Sequence, residues 1–465
     1  MKVEQLYTNC LSEAAYLIES EGEVAIIDPL RDYQKYIEMA KKENGKIKYI
    51  FETHFHADFI SGHLDLSKKT GAPIIYGPET NTNFEVIVAN DGDRFHIGKL
   101  ALEVLHTPGH TPESTCYLLY DENNKPYCIF TGDTLFVGDV GRPDLFGASI
   151  TKEELASRMY DSLQRLKKLP DDVILYPAHG PGSSCGKNLG KETWSTLGIQ
   201  KKMNYALQDQ TREEFIKAIT EGLSKAPQYF ALNAKINREG YQSLDDVVNK
   251  SLKGLIVDEF EKEMKGEGVV IVDTRHEDVF EKGFVPGSIF IGLHGRYAEW
   301  VGTLLNMNDH ILIVADPGKE EESVIRMARV GYDNVVGFLK GGFDEWKNSG
   351  KDFDMIISID AEEFQLDYLH DDINVIDARK ETEFEQGHVE GAINVVLQDF
   401  DVQLHKLDER EEEDFYVHCL GGYRSMIAAS LMKRKGFHNL KNILGGWNAI
   451  KKTNVSVAVP QFSQS

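Results

Sequence analysis

Four short segments of this chain end on side chains that bind metal ions. Residues 53–63 read Thr-His-Phe-His-Ala-Asp-Phe-Ile-Ser-Gly-His, and three later segments end on His110, Asp133 and His179. Imidazoles and a carboxylate that converge from different parts of a fold suit zinc, iron or manganese. The residue types and their order therefore predict a metal site.

Apolar, β-like runs precede these candidate ligands and must position them. The runs are Ile47–Phe51, Ala101–Leu105, Tyr127–Phe130 and Val173–Tyr176, which places His54, His110, Asp133 and His179 just beyond strand ends. A layered α/β domain builds its site at such ends. A lone histidine beside a turn is an ordinary polar residue, and this interpretation is applied to His63, His96 and His106.

The four segments together resemble the metallo-β-lactamase superfamily, whose first motif runs His-x-His-x-Asp-His. Here the motif stands as His54-Phe55-His56-Ala57-Asp58-Phe59. Because Phe59 binds no metal, the second metal of two-zinc members such as glyoxalase II loses a ligand, and a single metal is predicted. The branch that the chain resembles most is the persulfide dioxygenases, which implies one Fe(II) held by His54, His110 and Asp133.

The chemistry of this branch requires a redox-active metal. Two histidines and one carboxylate leave open positions on Fe(II) for O₂ and a substrate sulfur, whereas zinc is redox-silent. The resemblance also implies that Arg142 helps to hold the carboxylate of the thiol substrate, a task that suits a planar guanidinium. His56, Asp58 and His179 match superfamily ligand positions, so they either bind metal or orient ligands and substrate.

The composition is that of a globular protein with several domains. The chain has 465 residues, of which 41% are hydrophobic and 27% charged. Its formal charge of −24 argues against nucleic acid and anionic membrane surfaces as partners. No apolar run reaches the roughly 18 residues of a membrane span, and no leader is recognised after Met1, so a cytoplasmic location is expected.

Beyond about residue 245 the chain repeats itself. The first repeat has Val270-Ile-Val-Asp-Thr-Arg275 where the second has Val375-Ile-Asp-Ala-Arg379, and Gly341-Gly-Phe-Asp-Glu-Trp346 where the second has Gly445-Gly-Trp-Asn-Ala-Ile450. The offset between matching residues stays near 104. A period of this size is a domain duplication. β-Branched runs alternate with helical stretches in both repeats, which predicts parallel sheets flanked by helices.

The second repeat carries a candidate nucleophile, Cys419, in Val-His-Cys-Leu-Gly-Gly-Tyr-Arg-Ser. The cysteine ends a β-like run, the glycines let N–H groups point inward, and Arg424 adds positive charge, a setting that lowers a thiol pKa. Both repeats resemble rhodanese domains, which implies that Cys419 takes up sulfane sulfur as a persulfide. Six residues from Cys419 to Arg424 fit sulfur transfer in that superfamily, whereas its phosphatase relatives use seven.

The first repeat lacks the glycine-arginine loop. Aligning Val314-Ala315-Asp316 with Val417-His418-Cys419 puts Asp316 in the place of the nucleophile. This repeat therefore carries no persulfide, and a scaffold or a subunit interface is its expected role.

The remaining thiols fall into two groups. Cys185 stands in a glycine-rich loop after His179, where it either relays a persulfide at the substrate site or is a bystander. Cys10, Cys116 and Cys128 lie in apolar sequence and are expected to be small buried side chains.

Three α/β domains are predicted. Residues 1–245 form a metallo-β-lactamase αββα sandwich, residues 246–352 a degenerate rhodanese-like domain, and residues 353–465 an active rhodanese domain with a frayed tail at 461–465. This order resembles bacterial persulfide dioxygenase–rhodanese fusion proteins. The resemblance implies that a small thiol persulfide and O₂ give sulfite, and that Cys419 transfers sulfur to sulfite to give thiosulfate in sulfide detoxification.

Several alternatives stay open at this point. Sulfur could flow in reverse, with thiosulfate as the donor. A zinc-dependent thioester hydrolase resembling glyoxalase II, or a sulfur carrier without catalytic activity, would use the same residues but consume no O₂. A homo-oligomer is expected, while the sequence fixes neither its size nor the thiol that carries the persulfide.

Overall fold

The chain folds into two compact units. The structure is a computed structural model that describes residues 1–147, 149–407 and 410–458, so the predicted tail at 461–465 lies outside the described residues. The first unit comprises residues 1–247 with 325–332, and the second comprises residues 248–324 with 333–465. Most of both repeats therefore belongs to one unit.

Two six-stranded sheets form the first unit. The first sheet has the order β1-β2-β3-β4-β5-β6, with β1 (Lys2–Thr8), β2 (Glu13–Ser20), β3 (Glu23–Ile27), β4 (Lys46–Phe51), β5 (Ile74–Tyr76) and β6 (Ile87–Val88). The second has the order β12-β11-β10-β9-β8-β7, with β7 (Arg94–Ile97), β8 (Leu100–His106), β9 (Thr115–Tyr120), β10 (Pro126–Gly132), β11 (Ile174–Pro177) and β12 (Ser195–Thr196). The four predicted strands are thus confirmed as β4, β8, β10 and β11, with small differences at their ends.

Helices cover the outer faces of these sheets. They are α1 (Gln34–Lys42), α2 (His63–Thr70), α3 (Lys152–Leu166), α4 (Leu197–Met203), α5 (Arg212–Thr220), α6 (Phe230–Glu239) and α7 (Leu244–Ser251), with a 3-10 turn at Tyr205–Leu207. Helix α3 starts at Thr151, whose hydroxyl accepts a hydrogen bond from Glu154 N. It buries Leu155, Met159 and Leu163, four residues apart, against the second sheet.

A second apolar layer lies between the two sheets. Tyr16 and Phe51 of the first sheet pack with Tyr117 and Phe130 of the second in this layer. Helices, two sheets and helices therefore follow one another, which confirms the predicted αββα sandwich. Strands β10 and β11 are parallel neighbours, so the loops that follow them emerge at the same edge of the sheet.

The two repeats contain five-stranded parallel sheets of identical order. The first runs β13-β17-β16-β14-β15, with β13 (Gly254–Leu255), β14 (Val269–Asp273), β15 (Ser288–Phe290), β16 (His310–Val314) and β17 (Val335–Leu339). The second runs β18-β23-β22-β19-β21, with β18 (Ile357–Ile359), β19 (Asn374–Asp377), β20 (His388–Val389), β21 (Ile393–Asn394), β22 (Phe415–His418), β23 (Leu440–Ile443) and β24 (Val457–Ala458), where β20 and β24 form a separate pair. The duplication and the parallel sheets are confirmed.

Helices flank both sheets. They are α8 (Val257–Glu263), α9 (Glu277–Phe280), α10 (Tyr297–Leu304), α11 (Glu320–Ala328), α12 (Gly342–Asn348), α13 (Ala361–His370), α14 (Glu381–Glu385), α15 (Phe400–Leu404), α16 (Tyr423–Arg434) and α17 (Gly446–Ile450). Short 3-10 turns lie at Leu397–Asp399 and His405–Leu407. Within the described residues, no helix combines the length and apolar character that crossing a membrane demands.

Each repeat is held by a buried arginine. In the first, Arg275 Nη2 lies 2.6 Å from Asp273 Oδ2 and donates to the Gly283 carbonyl at 2.9 Å. The second repeat builds the same arrangement from Asp377, Arg379 and Gly387, with distances of 2.6 and 2.8 Å. The arginine joins the end of β14 or β19 to the segment before the next strand, and we call this arrangement the Asp–Arg–Gly frame.

Candidate metal centre and candidate sulfur-transfer site

The predicted metal ligands converge at one edge of the sandwich. His54 follows β4, His110 follows β8, and Asp133 directly follows β10; each is about 1% exposed. His54 Nε2 lies 3.8 Å and His110 Nε2 lies 3.5 Å from Asp133 Oδ2. These separations are too long for hydrogen bonds but suit atoms that surround one metal ion.

The orientation of both imidazoles leaves Nε2 available. Thr53 Oγ1 donates to Asp28 Oδ2 at 2.8 Å, so it accepts the proton of His54 Nδ1, which is 2.9 Å away. His110 Nδ1 lies 2.8 Å from the carbonyl oxygen of Arg142, which only accepts hydrogen bonds. Each ring therefore carries its proton on Nδ1 and offers the Nε2 lone pair to a metal.

The charges of these groups also fit a cation. Burial lowers the pKa of His54 well below its ordinary value, and the adjacent His56 adds to the effect. Burial alone would raise the pKa of Asp133, but His179 and His54 lower it below the usual range. Asp133 Oδ2 is buried and makes no hydrogen bond. The Nε2 atoms of His54 and His110 beside an ionised carboxylate oxygen that makes no hydrogen bond fit a bound divalent metal.

Asp58 and His179 pair with each other rather than joining these three ligands. His179 Nδ1 lies 2.7 Å from Asp133 Oδ1, and its Nε2 lies 2.8 Å from Asp58 Oδ2. Burial opposes protonation, yet the two carboxylates raise the pKa of His179 well above its ordinary value. His179 is therefore a cationic donor to both carboxylates, and it fixes Asp133 with Oδ2 directed toward the imidazoles.

His56 points into a separate buried group. Its Nε2 lies 3.2 Å from Asp28 Oδ1 and 3.7 Å from Glu52 Oε2, and Phe59 packs on the ring at a centroid distance of 4.2 Å. His63, interpreted as an ordinary polar residue from the sequence, is fully buried, with Nδ1 3.2 Å from Glu52 Oε1. His63 is thus a buried polar side chain behind residues 52–63, which we call the ligand loop, and its interpretation as an ordinary polar residue and not a ligand stays a prediction.

Asn237 on α6 holds the ligand loop from outside the motifs. Its side-chain Nδ2 donates to the carbonyls of His56 at 2.8 Å and Phe59 at 2.7 Å, and its Oδ1 accepts from Ser61 N at 2.9 Å. The side chain is fully buried. No local pattern marks this residue, because its role depends on a loop about 180 residues earlier in the chain.

Arg142 lies beside the candidate metal centre, and its side chain is paired with another residue of the protein. Its guanidinium forms a bidentate pair with Asp144, with Nε–Oδ1 at 2.7 Å and Nη2–Oδ2 at 2.8 Å. Its carbonyl orients His110, and its N–H donates to Cys185 O at 2.8 Å. The structure thus places Arg142 as a support of the ligand His110, while its predicted contact with a substrate carboxylate stays a prediction.

Cys185 is buried beside the Asp58–His179 pair. Donor atoms of the three side chains lie within 4.8 Å of one another, and Cys185 is 1% exposed. Burial, followed by the charges of Asp58 and Asp133, raises the thiol pKa well above its ordinary value. A protonated thiol is a weak nucleophile, so this setting favours the bystander over the relay.

Cys419 occupies the predicted position past β22. Its Sγ accepts a hydrogen bond from Gly422 N at 3.1 Å, directly before α16 begins at Tyr423. Gly422 has a φ of +123°, a conformation that favours glycine and turns its N–H toward the sulfur. A side chain at Gly446 would meet the Cys419 carbonyl at 2.4 Å. The backbone thus shapes a compact site around one sulfur atom.

The positive charge of Arg424 is paired with the carboxylate of Glu383. Its two Nη atoms donate to Glu383 Oε2 at 2.6 Å and Oε1 at 2.8 Å. Burial opposes ionisation of Glu383, but Arg424 lowers the pKa of that carboxyl below its usual range. Glu383 was not predicted as a site residue, and it is a positioning residue for Arg424.

A cavity of about 470 Å³ opens beside Cys419. The second repeat contributes Lys380, Gln398 and Arg424 to its wall, and the first repeat contributes Glu277, His294 and Trp300. The first repeat was predicted to be a scaffold or a subunit interface, and in addition it supplies part of this cavity.

The proposed place of Asp316 is wrong by one residue. Asp273 pairs with Val314 in the first repeat, and Asp377 pairs with His418 in the second. With this register Ala315 corresponds to Cys419. The error arose because the loops after the two strands share no sequence, and only strand pairing fixes the alignment. An alanine carries no persulfide either, so the first repeat still lacks the nucleophile.

Comparison with family models agrees with this architecture. The model of the metallo-beta-lactamase superfamily matches residues 8–179, and the model of the rhodanese-like domain matches residues 257–349 and 360–453. Both candidate sites therefore lie within matched regions, except Cys185 and Asn237, which follow the first match.

The chain belongs to the metallo-beta-lactamase superfamily and carries two rhodanese-like domains. It is 33% identical to a solved metallo-beta-lactamase from Staphylococcus aureus subsp. aureus COL, a match that covers 73% of this chain and 98% of that chain with a TM-score of 0.65. It is also similar to ETHE1 from Myxococcus xanthus, at 30% identity, covering 51% of this chain and 98% of that chain with a TM-score of 0.44.

Proposed function

We propose that the first unit is a non-haem Fe(II) dioxygenase for low-molecular-weight thiol persulfides. In this reaction a persulfide, O₂ and water give thiol, sulfite and two protons. The observation that carries the proposal is the isolated trio of His54, His110 and Asp133, with the second metal position altered by Phe59 and by the Asp58–His179 ion pair. A two-histidine, one-carboxylate set is typical of non-haem Fe(II) oxygenases.

The protein groups would prepare this centre in four ways. Neutral His54 and His110 and ionised Asp133 would hold the ion, and Fe(II) when bound would supply the redox chemistry that joins O₂ to sulfur. The carbonyl of Arg142 keeps His110 in the required tautomer. His179 holds Asp133 Oδ1, so that Oδ2 keeps its direction. Burial of all these residues excludes bulk water from the reacting sulfur.

We further propose that Cys419 transfers sulfane sulfur. Its thiolate would attack the outer sulfur of a second persulfide, so that a new S–S bond forms on Cys419 and the small thiol leaves as thiolate. Sulfite would then attack the outer sulfur, Cys419 would leave as thiolate, and thiosulfate would form. The Gly422 N–H would stabilise the anionic sulfur in both steps, because it already bonds to Sγ.

Metal analysis coupled to oxygen uptake tests the dioxygenase. Protein purified without oxygen is expected to hold one iron per chain and to consume O₂ when glutathione persulfide is added, with one sulfite formed for each O₂. The matched control is Asp133→Asn, which is expected to lose both iron and uptake. Zinc in place of iron, with no O₂ uptake even after iron loading, would contradict the proposal.

A further inference from the structure

The first repeat contains a cluster of metal-binding side chains that neither candidate site uses. His276 and Glu277 lie at the start of α9, and His294 lies in the loop after β15. The donor atoms of the three side chains lie within 4.8 Å of one another. Glu277 Oε2 is 2.5 Å from His294 Nε2 and 3.4 Å from His276 Nδ1.

The cluster is compact and reachable. The rings of His276 and His294 stack at a centroid distance of 4.2 Å, and Asp278 Oδ2 lies 3.5 Å from His276 Nδ1. The side chains of His276 and His294 are 49% and 37% exposed, whereas Glu277 is 22% exposed. An ion from solvent could therefore reach both imidazoles while the carboxylate stays in place beneath them.

The donor set suits a borderline transition-metal cation. Two imidazoles with one or two carboxylates are typical ligands of zinc, and the carboxylates disfavour an anion at this position.

The position of the cluster links it to sulfur chemistry. Glu277 and His294 line the same cavity as Cys419. The ring of His294 also lies edge-on to Tyr423 at a centroid distance of 5.1 Å. Tyr423 directly follows Gly422, whose N–H bonds to Cys419 Sγ. A cation held by the cluster would thus lie in the wall of the cavity that a sulfur donor or acceptor must enter.

We propose that His276, Glu277 and His294 bind a zinc-type divalent cation in the wall of the Cys419 cavity, and that the bound ion slows sulfur transfer. The slowing has a direct chemical reason, since a zinc-type cation coordinates the sulfur of persulfide or sulfite and so removes the lone pair that sulfur transfer uses. The binding site itself does not depend on the proposed function, whereas its effect on rate does.

The binding test uses the full-length chain with Asp133→Asn and Cys419→Ser, which weakens the metal centre and removes the reactive thiol as a ligand. Zinc is titrated against a chromophoric chelator. We expect one zinc per chain at this cluster, and at least about tenfold weaker binding when either His276→Gln or His294→Gln is added. His310→Gln is the matched control, because His310 is an exposed histidine at the start of β16 in the same repeat.

Any of three results would overturn the site. The first is that the protein binds no more zinc than a variant that also lacks both His276 and His294. The second is that the His294→Gln and His310→Gln variants bind zinc with equal affinity. A loss of zinc on His310→Gln alone would likewise place the ion elsewhere.

The rate test uses chains with Asp133 and Cys419 intact. Under anaerobic conditions, zinc is expected to slow sulfur transfer from glutathione persulfide to sulfite, measured as thiosulfate, at least about fivefold, and His294→Gln is expected to remove most of this slowing. Equal inhibition of both proteins would disprove the link to the cavity. A chain with no transferase activity at all would instead overturn the proposed function of Cys419, so the two failures are distinguishable.

Discussion

At the scale of single residues, we expect Phe59 to limit the number of metal ions that the ligand loop holds. It stands where two-metal relatives have a histidine, and it packs on His56. In a chain that also carries His276→Gln and His294→Gln, the change Phe59→His adds the missing donor next to Asp58, so zinc-loaded protein should rise from one metal per chain toward two. Metal analysis after gel filtration measures this, with Phe59→Leu as the control. Equal zinc in both variants would mean that Phe59 does not exclude the second ion.

Cys419 should affect only one of the two proposed reactions. Cys419→Ser removes the sulfur acceptor, so thiosulfate formation should fall to background while persulfide-dependent O₂ uptake and sulfite formation continue. Ion chromatography and an oxygen electrode measure the two outcomes. Cys10→Ser, at a partly exposed thiol outside both candidate sites, is the control. Thiosulfate that persists in Cys419→Ser would remove Cys419 from the reaction.

The pKa of Cys185 makes a separate prediction. Because burial raises it well above the ordinary value, only a small fraction is thiolate at pH 8, and alkylation depends on the thiolate. Iodoacetamide at pH 8 should therefore label Cys419, which lines a cavity, much faster than Cys185. Peptide mass spectrometry gives both rates. Equal labelling would restore the persulfide relay as a role for Cys185.

At the scale of elements, α6 is part of the metal centre although it carries no ligand. Asn237→Ala removes three hydrogen bonds to the ligand loop, each worth about 1 kcal/mol net. We expect about tenfold weaker iron binding and a lower unfolding temperature. Asn233→Ala is the control, since Asn233 lies one turn earlier on α6 and, within the described chain, its buried amide makes no hydrogen bond. Equal loss of iron in both variants would refute the role of Asn237.

The elements also show which features sequence patterns predict. His54, His110 and Asp133 each lie a few residues beyond a buried strand, so a local pattern identified them. Asn237 and Glu383 act through partners 181 and 41 residues away, and no local pattern encodes such a pair. The one-residue error at Asp316 has the same origin, because strand register is a tertiary property.

At the scale of the whole molecule, metal removal should affect the two units unequally. All ligands of the proposed iron centre lie in the first unit, and a chelator would leave Asp133 Oδ2 ionised, buried and without its metal ion. Hydrogen exchange should therefore accelerate in residues 52–63 and 131–142 after chelation, while β19 and β22 keep their protection. Uniform acceleration across the chain would show that the metal stabilises more than its own unit.

The cavity beside Cys419 could not be predicted from the sequence, because it too depends on contacts between distant parts of the chain. Its wall combines Trp300 and His294 from one repeat with Lys380 and Arg424 from the other. The repeat length predicted two similar sheets, and both were found. How two similar sheets pack together depends on side chains spread over about 150 residues, which no periodicity reports.

The Asp–Arg–Gly frame has a consequence for protein engineering. Both repeats keep the frame, and both place a glycine, Gly342 or Gly446, against the carbonyl at the strand end. The two repeats therefore share one backbone scaffold, and they differ in the loop that follows the strand. A lone Ala315→Cys change would supply sulfur without its N–H donors, whereas transplanting the whole loop from Cys419 to Arg424 into the first repeat would supply both. Such a graft would turn a single-nucleophile protein into one with two.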